Sequence, residues 1–239
     1  MKPQKNTYLA GVIDGLPIGL GYLAVSFSVG IQASAQGIPF WWALLISMTN
    51  LTSAGQAAGI GIIAAGGSLI EMALAQLTIN SRYFLMSISL SQKLNPEFNT
   101  FHRLAASFGV TDEIFAVASS KSHAVSPKYM YGLIALPYIG WSVGTLLGAV
   151  MGNILPDIVT GALSIALYGM FIAIVVPPAK ASPKLLVVIV PAAVISCVIY
   201  YVPLFSFISG GFSVIISTVI AALLGSLVFP IETEDPKDE

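Results

Sequence analysis

Long apolar runs with very few ionisable residues constrain this chain more than any other feature. Hydrophobic residues make up 56% of the 239 residues and charged residues only 9%, against about 25% charged residues in a typical soluble domain. The polar side chains are too few to cover a water-soluble globule of this size. The sequence therefore predicts an all-α, polytopic protein embedded in a lipid bilayer. A net charge of -1 gives no reason to expect binding to nucleic acid.

The apolar residues fall into about eight segments joined by short connections. The segments cover approximately residues 8–33, 39–64, 67–92, 104–120, 129–153, 157–177, 184–203 and 207–229. The fourth is shorter than the roughly 20 residues of a spanning helix, which favours a half-helix or a re-entrant piece. Two arrangements stay open: eight crossings, or six crossings with re-entrant second and fourth segments. The distribution of basic residues places both termini in the cytoplasm in either case.

One domain accounts for nearly the whole chain. Residues 1–230 are predicted to form a single transmembrane domain, and the acidic residues 231–239 a cytoplasmic tail. The stretch GVIDGLPIG at 11–19 is echoed by GLIALPYIG at 132–140. This echo indicates a weak internal repeat, a feature of many membrane proteins built from two related halves.

Five ionisable residues lie inside the apolar runs. They are Asp14, Glu71, Arg82, Asp112 and Glu113. A charge at the bilayer centre costs roughly 2.5–3.5 kcal/mol on insertion scales, so such residues usually face a partner or a solute pathway. We therefore expect these side chains to point into the protein interior.

The third segment carries a polar stripe on an otherwise apolar helix. Glu71, Thr78, Arg82 and Ser89 fall on one face of this helix, and Asn80 is a further polar candidate in the same segment. Glu71 alone could equally be solvated near a membrane edge. Glu71 and Arg82 are about 16 Å apart along a straight helix, so Arg82 needs another anion. Three acids are candidates for a structural ion pair with it: Asp14, Asp112 and Glu113. A substrate carboxylate is the functional alternative.

The fourth segment contains the adjacent acids Asp112 and Glu113 after Gly109 and Thr111. Two neighbouring carboxylates in an apolar setting repel each other, which favours protonation of one and suits proton coupling. Gly109 could break the helix and expose a helix N-terminus. The alternative is ordinary helix-start chemistry, with Thr111 as N-cap and the acids in the first turn.

Asp14 lies beside Pro17, which removes one backbone hydrogen bond and kinks the first helix. Two ladders of glycines spaced by four accompany it. They are Gly11, Gly15 and Gly19, and Gly140, Gly144, Gly148 and Gly152. Such ladders let helices approach closely, and the partner of the second ladder could lie in this chain or in another. The tryptophans at 41, 42 and 141 are interpreted as interfacial anchors.

Motifs of catalysis are absent from the sequence. There is no Walker loop, no GxSxG, no HExxH and no Cys/His metal spacing, and the single cysteine is Cys197. The sequence therefore predicts that the chain is not an enzyme and that it needs no metal or other cofactor.

Three blocks of the sequence resemble the AzlC/YgaZ family of branched-chain amino-acid exporters. The blocks are residues 11–22 (GVIDGLPIGLGY), 78–91 (TINSRYFLMSISLS) and 107–117 (SFGVTDEIFAV). The resemblance implies a permease of the bacterial or archaeal inner membrane that exports leucine, isoleucine, valine or analogues. It also implies a small hydrophobic partner subunit of the AzlD/YgaH type.

The sequence thus suggests a secondary transporter subunit, with protons as the driving ion. The candidate substrate-binding or coupling residues are Asp14, Glu71, Asn80, Arg82, Thr111, Asp112 and Glu113. Arg82 would bind the substrate carboxylate, Asp112 or Glu113 would carry the proton or meet the ammonium group, and Asp14 would gate or bind. The side-chain pocket could include Leu85, Met86 and Phe115. Two alternatives are an uncoupled channel or facilitator and a non-transporting scaffold subunit.

Overall fold

The computed structural model describes residues 6–152 and 179–229, together with positions 154, 156, 158, 165, 169, 172 and 175–177. The predicted sixth segment (157–177) lies mostly outside the described residues, as do the acidic tail and the basic residues Lys2 and Lys5. In the described part the secondary structure is helical and no strand forms. The all-α prediction is confirmed for these residues.

The helices of the described residues follow one another with short connections. In chain order they are α1 (Tyr8–Ala35), α2 (Phe40–Thr49), α3 (Ser53–Ala64), α4 (Leu69–Ser91), α5 (Thr100–Ser107), α6 (Asp112–Ser119), α7 (Pro127–Met151), α8 (Leu186–Tyr201) and α9 (Gly210–Val228). Short 3-10 turns precede α8 (Pro183–Leu185) and follow it (Pro203–Phe205).

Helices α1 and α7 form the centre of the fold and run parallel to each other. The two glycine ladders face each other here. A Cβ on Gly11 would overlap the backbone of α7 at Tyr129, and a Cβ on Gly148 would overlap the backbone of α1 at Phe27. The second ladder therefore contacts α1 of the same chain and not another chain. The end where both helices begin is here called the N-end, and the end where they finish the C-end.

The second predicted segment is broken into two helices that form a hairpin. Helix α2 ends at Thr49 and α3 begins at Ser53, with extended backbone at Asn50 and Thr52 between them. At about 15–18 Å each, these helices are too short to span a bilayer. Helix α1 ends at the C-end, and a four-residue connection joins it to α2. A connection of the same length joins α3 to α4. Helix α4 runs back to the N-end, where Leu90 packs in one cluster with Val125 and Met130. The α2–α3 hairpin therefore enters and leaves at the C-end.

The fourth predicted segment is a second hairpin, from the opposite end. Helix α5 ends at Ser107 and α6 starts at Asp112, so the break falls at Gly109, as the sequence favoured. Two backbone hydrogen bonds hold its two ends together: Asn95 N–H donates to the carbonyl of Val125 (3.0 Å), and Val125 N–H donates to the carbonyl of Lys93 (2.9 Å). The α5–α6 hairpin therefore enters and leaves at the N-end.

The count of eight spanning segments is not confirmed. Among the described residues, four helical stretches are long and apolar enough to cross a membrane: Tyr8–Ala35, Pro127–Met151, Pro183–Tyr201 and Gly210–Val228. Helix α4, with 23 residues, is long enough as well but carries more polar side chains. The second and fourth segments are hairpins whose ends return to the same side of the bundle.

Glu71 joins α4 to the α8–α9 pair. Its buried carboxylate, 5% exposed, accepts hydrogen bonds from the Ser209 hydroxyl and from the N–H of Gly211 (3.1 Å). The carboxylate therefore supplies a hydrogen-bond acceptor to the first turn of α9, where unpaired N–H groups and the helix dipole favour an anion. This contact overturns the alternative that Glu71 is simply solvated at a membrane edge.

Candidate functional site

A cavity of about 320 Å³ lies where the tips of the two hairpins approach each other. Its walls come from α1, the tip of α2–α3, α4, the start of α6, and α7. The lining residues are Pro17, Ile18, Gly21, Tyr22, Val25, Leu51, Ser53, Tyr83, Thr111, Asp112, Glu113 and Trp141. Helices α3 and α6 both begin at this cavity, so two helix N-termini face it from opposite hairpins.

Each of these helix starts has a threonine N-cap. The hydroxyl of Thr52 accepts from the N–H of Gly55 (3.3 Å), and that of Thr111 accepts from the N–H of Ile114 (3.4 Å). The caps leave other N–H groups of the first turns without intrahelical partners. The helix-start reading of Thr111 is therefore correct, and the same geometry places the acids at the cavity.

The polar side of the cavity is formed by Thr111, Asp112 and Glu113. The phenol oxygen of Tyr22 lies 2.6 Å from the Thr111 hydroxyl oxygen and also hydrogen-bonds the carboxylate of Glu113. Since a phenol has one proton, donation to Glu113 leaves Thr111 to donate to the phenol oxygen. Glu113 is otherwise exposed, so this carboxylate is accessible while Tyr22 fixes its position.

Arg82 forms an ion pair with Asp112. Its Nη2 lies 3.0 Å from Oδ2 of Asp112, and the two side chains are 40% and 41% exposed. The guanidinium also lies over the ring of Tyr83, 5.1 Å from its centroid, and its buried Nε has no hydrogen-bond partner among the described residues. Arg82 is not among the cavity-lining residues. Arg82 contacts two lining residues, Asp112 and Tyr83, and its direct contact with a substrate carboxylate stays a prediction.

Asn80 supports the site from α4. Its Nδ2 donates to Oε1 of Gln76 (3.0 Å), and Nε2 of Gln76 donates to the carbonyl of Gly55 in the first turn of α3 (2.7 Å). The buried Oδ1 of Asn80 has no partner in the part of the chain that the structure describes. Asn80 therefore helps to hold α4 against the α2–α3 hairpin, one layer behind the cavity wall.

Val25, Leu51 and Trp141 pack in one apolar cluster at the cavity, and Ile18 lines it from the cluster that contains Ile114 of α6. Trp141 is only 2% exposed, and its indole meets the Tyr22 ring edge-on at a centroid distance of 5.4 Å. The interpretation of Trp141 as an interfacial anchor is therefore wrong. None of the three apolar residues suggested by the sequence, Leu85, Met86 and Phe115, lines this cavity.

Asp14 lies outside the cavity, in a cluster towards the N-end. Its Oδ2 is 2.7 Å from Nζ of Lys121 and accepts a hydrogen bond from the hydroxyl of Tyr129 (2.6 Å). Lys121 follows α6, so the cluster ties the end of the α5–α6 hairpin to α1 and α7. Of the seven candidate residues, Thr111, Asp112 and Glu113 line the cavity, Arg82 and Asn80 lie behind its wall, and Asp14 and Glu71 lie elsewhere.

Replacing Lys121 with methionine is expected to lower stability by about 1–2 kcal/mol, because Asp14 would lose its cation in a partly buried setting. Thermal unfolding in detergent would measure this loss. The same change at the exposed Lys128 is the control and should have little effect. Adding Asp14→Asn to Lys121→Met should recover part of the loss; an additive further loss would contradict the pairing.

The fold and the cavity define a class of protein. Helices interrupted near the middle of a membrane domain, with polar groups at the breaks, are typical of secondary transporters. The described helices are thus those of a polytopic membrane protein, and the cavity is consistent with a transporter subunit.

Sequence comparison gives the particular family: the chain belongs to the AzlC family. The family's sequence model, described as AzlC protein, matches residues 17–155, a range that contains both hairpins and the whole cavity lining. No solved structure matches the chain.

Relatives from bacteria and archaea are named as membrane proteins. The inner membrane protein YgaZ of Escherichia coli is 29% identical over 155 residues, which cover 63% of each chain. An uncharacterized membrane protein of Archaeoglobus fulgidus is 30% identical over 172 residues, covering 71% of this chain and 75% of the relative. One from Helicobacter pylori is 26% identical, covering 62% and 67%.

Proposed function

We propose that this protein is a subunit of a secondary transporter that exports branched-chain amino acids across the cell (inner) membrane. The observation that supports this proposal most is the two-sided cavity. Carboxylates form one side and apolar side chains the other, which suits a solute that has a cationic group and a hydrocarbon side chain. At about 320 Å³ the cavity is at the small end of ligand sites, in keeping with a single amino acid.

The proposed pose follows from the charges around the cavity. Asp112 meets the ammonium group of the substrate, and Arg82 orients Asp112 through their ion pair. The substrate carboxylate faces the start of α3, where Ser53 lines the cavity and the first-turn N–H groups and helix dipole favour an anion. Both N-termini would contribute positive potential to the site.

Glu113 is the proposed carrier of the coupling proton. It is exposed at the cavity, and Tyr22 links it to Thr111, so a proton could pass between solvent and the carboxylate without unfolding α6. Export against a gradient requires such a driving ion.

The basic residues support an orientation with the N-end in the cytoplasm. Lys93, Arg103, Lys121 and Lys128 lie near this end, around the α5–α6 hairpin and the start of α7. Lys184 also lies there, because Val188 at the start of α8 packs against Gly225 near the end of α9, and α9 begins at the C-end beside Glu71. An excess of Lys and Arg marks cytoplasmic loops. Both termini are accordingly proposed to be cytoplasmic.

Net uptake of labelled leucine into proteoliposomes under an imposed pH gradient tests the proposal. We expect uptake that depends on a pH gradient, and full activity only when a small hydrophobic subunit of the AzlD/YgaH type is present. Transport that persists unchanged after collapse of the pH gradient would favour the channel alternative. Transport by the small subunit alone would assign this chain a scaffold role.

A further inference from the structure

We propose that Trp141 sets the upper size limit for the substrate side chain. This inference rests on the proposed function, since it concerns which amino acids the same cavity accepts. Trp141 lines the cavity in one apolar cluster with Val25 and Leu51, and the acids of α6 line the same cavity. A side chain that extends from a substrate held at Asp112 would meet this wall.

A chain of buried hydrogen bonds fixes the indole in place. Nε1 of Trp141 donates to Oε1 of Gln56 (2.8 Å), and Nε2 of Gln56 donates to the hydroxyl of Ser47 (2.6 Å). Ser47 in turn donates to the hydroxyl of Thr145 (2.7 Å). Gln56, Ser47 and Thr145 are completely buried. Moving the indole would leave several of these groups without partners, which is costly in a buried setting.

The ring of Tyr22 packs against the indole and lines the same cavity. Its edge-on contact with Trp141 and its hydroxyl contact with Glu113 connect the apolar wall to the acid side. The length of substrate side chain that fits is therefore limited by the rings of Tyr22 and Trp141, and hydrogen bonds hold both rings in place. A wall of this kind does not adapt to longer side chains, in contrast to one built from methionine or lysine.

The test is the variant Trp141→Phe, which keeps an aromatic ring but makes the wall shallower. We measure counterflow of labelled valine, leucine, methionine and phenylalanine with the complete transporter. The ratio of phenylalanine or methionine transport to valine transport should rise about tenfold, the usual effect of one methylene in an apolar pocket. The matched control is Trp42→Phe, because Trp42 is 53% exposed and does not line the cavity.

A second variant keeps the test decisive if Trp141→Phe fails to fold. Val25→Ala enlarges the same wall without touching the Gln56 hydrogen bonds, and it should shift the ratio in the same direction. The size limit is wrong if the wild type transports leucine and every folded variant at Trp141 or Val25 keeps the wild-type ratio. The proposed function would then still stand. If the wild type transports none of these amino acids, the proposed function fails and this inference with it.

Discussion

Replacement of Asp112 by asparagine is expected to lower leucine counterflow about 30-fold or more. The variant keeps the shape of the side chain but removes the negative charge that faces the cavity and pairs with Arg82. Loss of one partner from a desolvated charge pair costs about 2–5 kcal/mol. Both groups are partly exposed, so the lower end of that range applies, and each 1.4 kcal/mol corresponds to tenfold.

The control for this variant is Glu97→Gln, the same carboxylate-to-amide change in an exposed loop. Its transport should stay within about twofold of the wild type. Both proteins must first elute as folded species from size-exclusion chromatography. Wild-type transport by Asp112→Asn would mean that the substrate does not bind at this cavity.

A double-mutant cycle then separates two roles for Arg82. If Arg82 acts only by orienting Asp112, the variant Arg82→Gln should cost little in an Asp112→Asn background, because residues of one pair are not additive. If Arg82 also binds the substrate carboxylate, the two losses should add. The cycle therefore tests the direct contact that the sequence alone suggested.

The second large effect is expected on folding. Gly148→Ala should destabilise the protein by about 3 kcal/mol or prevent its accumulation, because the added Cβ would overlap the backbone of α1 at Phe27. Overpacking of this kind usually costs 1–3 kcal/mol, and more where backbone is involved. Thermal unfolding in detergent and the yield of monodisperse protein are the measurements.

Gly61→Ala is the matched control, since Gly61 also lies in a helix and a Cβ there would meet nothing within 4 Å. It should be neutral or slightly stabilising, because alanine is the better helix former. Equal stability of the two variants would contradict the close approach of α1 and α7.

Local signals predicted several parts of the fold. The short fourth segment with its internal acids indicated an interrupted helix, and the break occurs between Ser107 and Asp112. The glycine spacing indicated close helix packing, and the ladders do face each other. The break in the second segment at Asn50–Thr52 was less visible, because no proline or long polar run marks it.

The candidate site was predicted only in part, because its residues come together from distant parts of the chain. The sequence indicated that Arg82 needs an anionic partner and left three acids as candidates. Only the fold identifies Asp112 as that partner. Asp14 pairs with Lys121, and Glu71 accepts a hydrogen bond at the start of α9. Tyr22 and Trp141 were not assigned to the site, since aromatic residues are common in membrane helices and their spacing carries no signal. Tyr22 does lie in the first of the family blocks, which is the one hint available.

The two hairpins differ in the chemistry that attaches them to the rest of the bundle. Neutral donors and acceptors around Gln56 attach α2–α3 to α7. The α5–α6 hairpin has neutral contacts too, such as Tyr22 with Thr111, but it also has two ion pairs, Arg82 with Asp112 and Asp14 with Lys121. A zwitterionic substrate that binds between the hairpins competes with the ion pairs of α5–α6 and not with the neutral hydrogen bonds of α2–α3. We therefore expect amide exchange in α6 to become faster when substrate binds, while exchange in α3 stays unchanged.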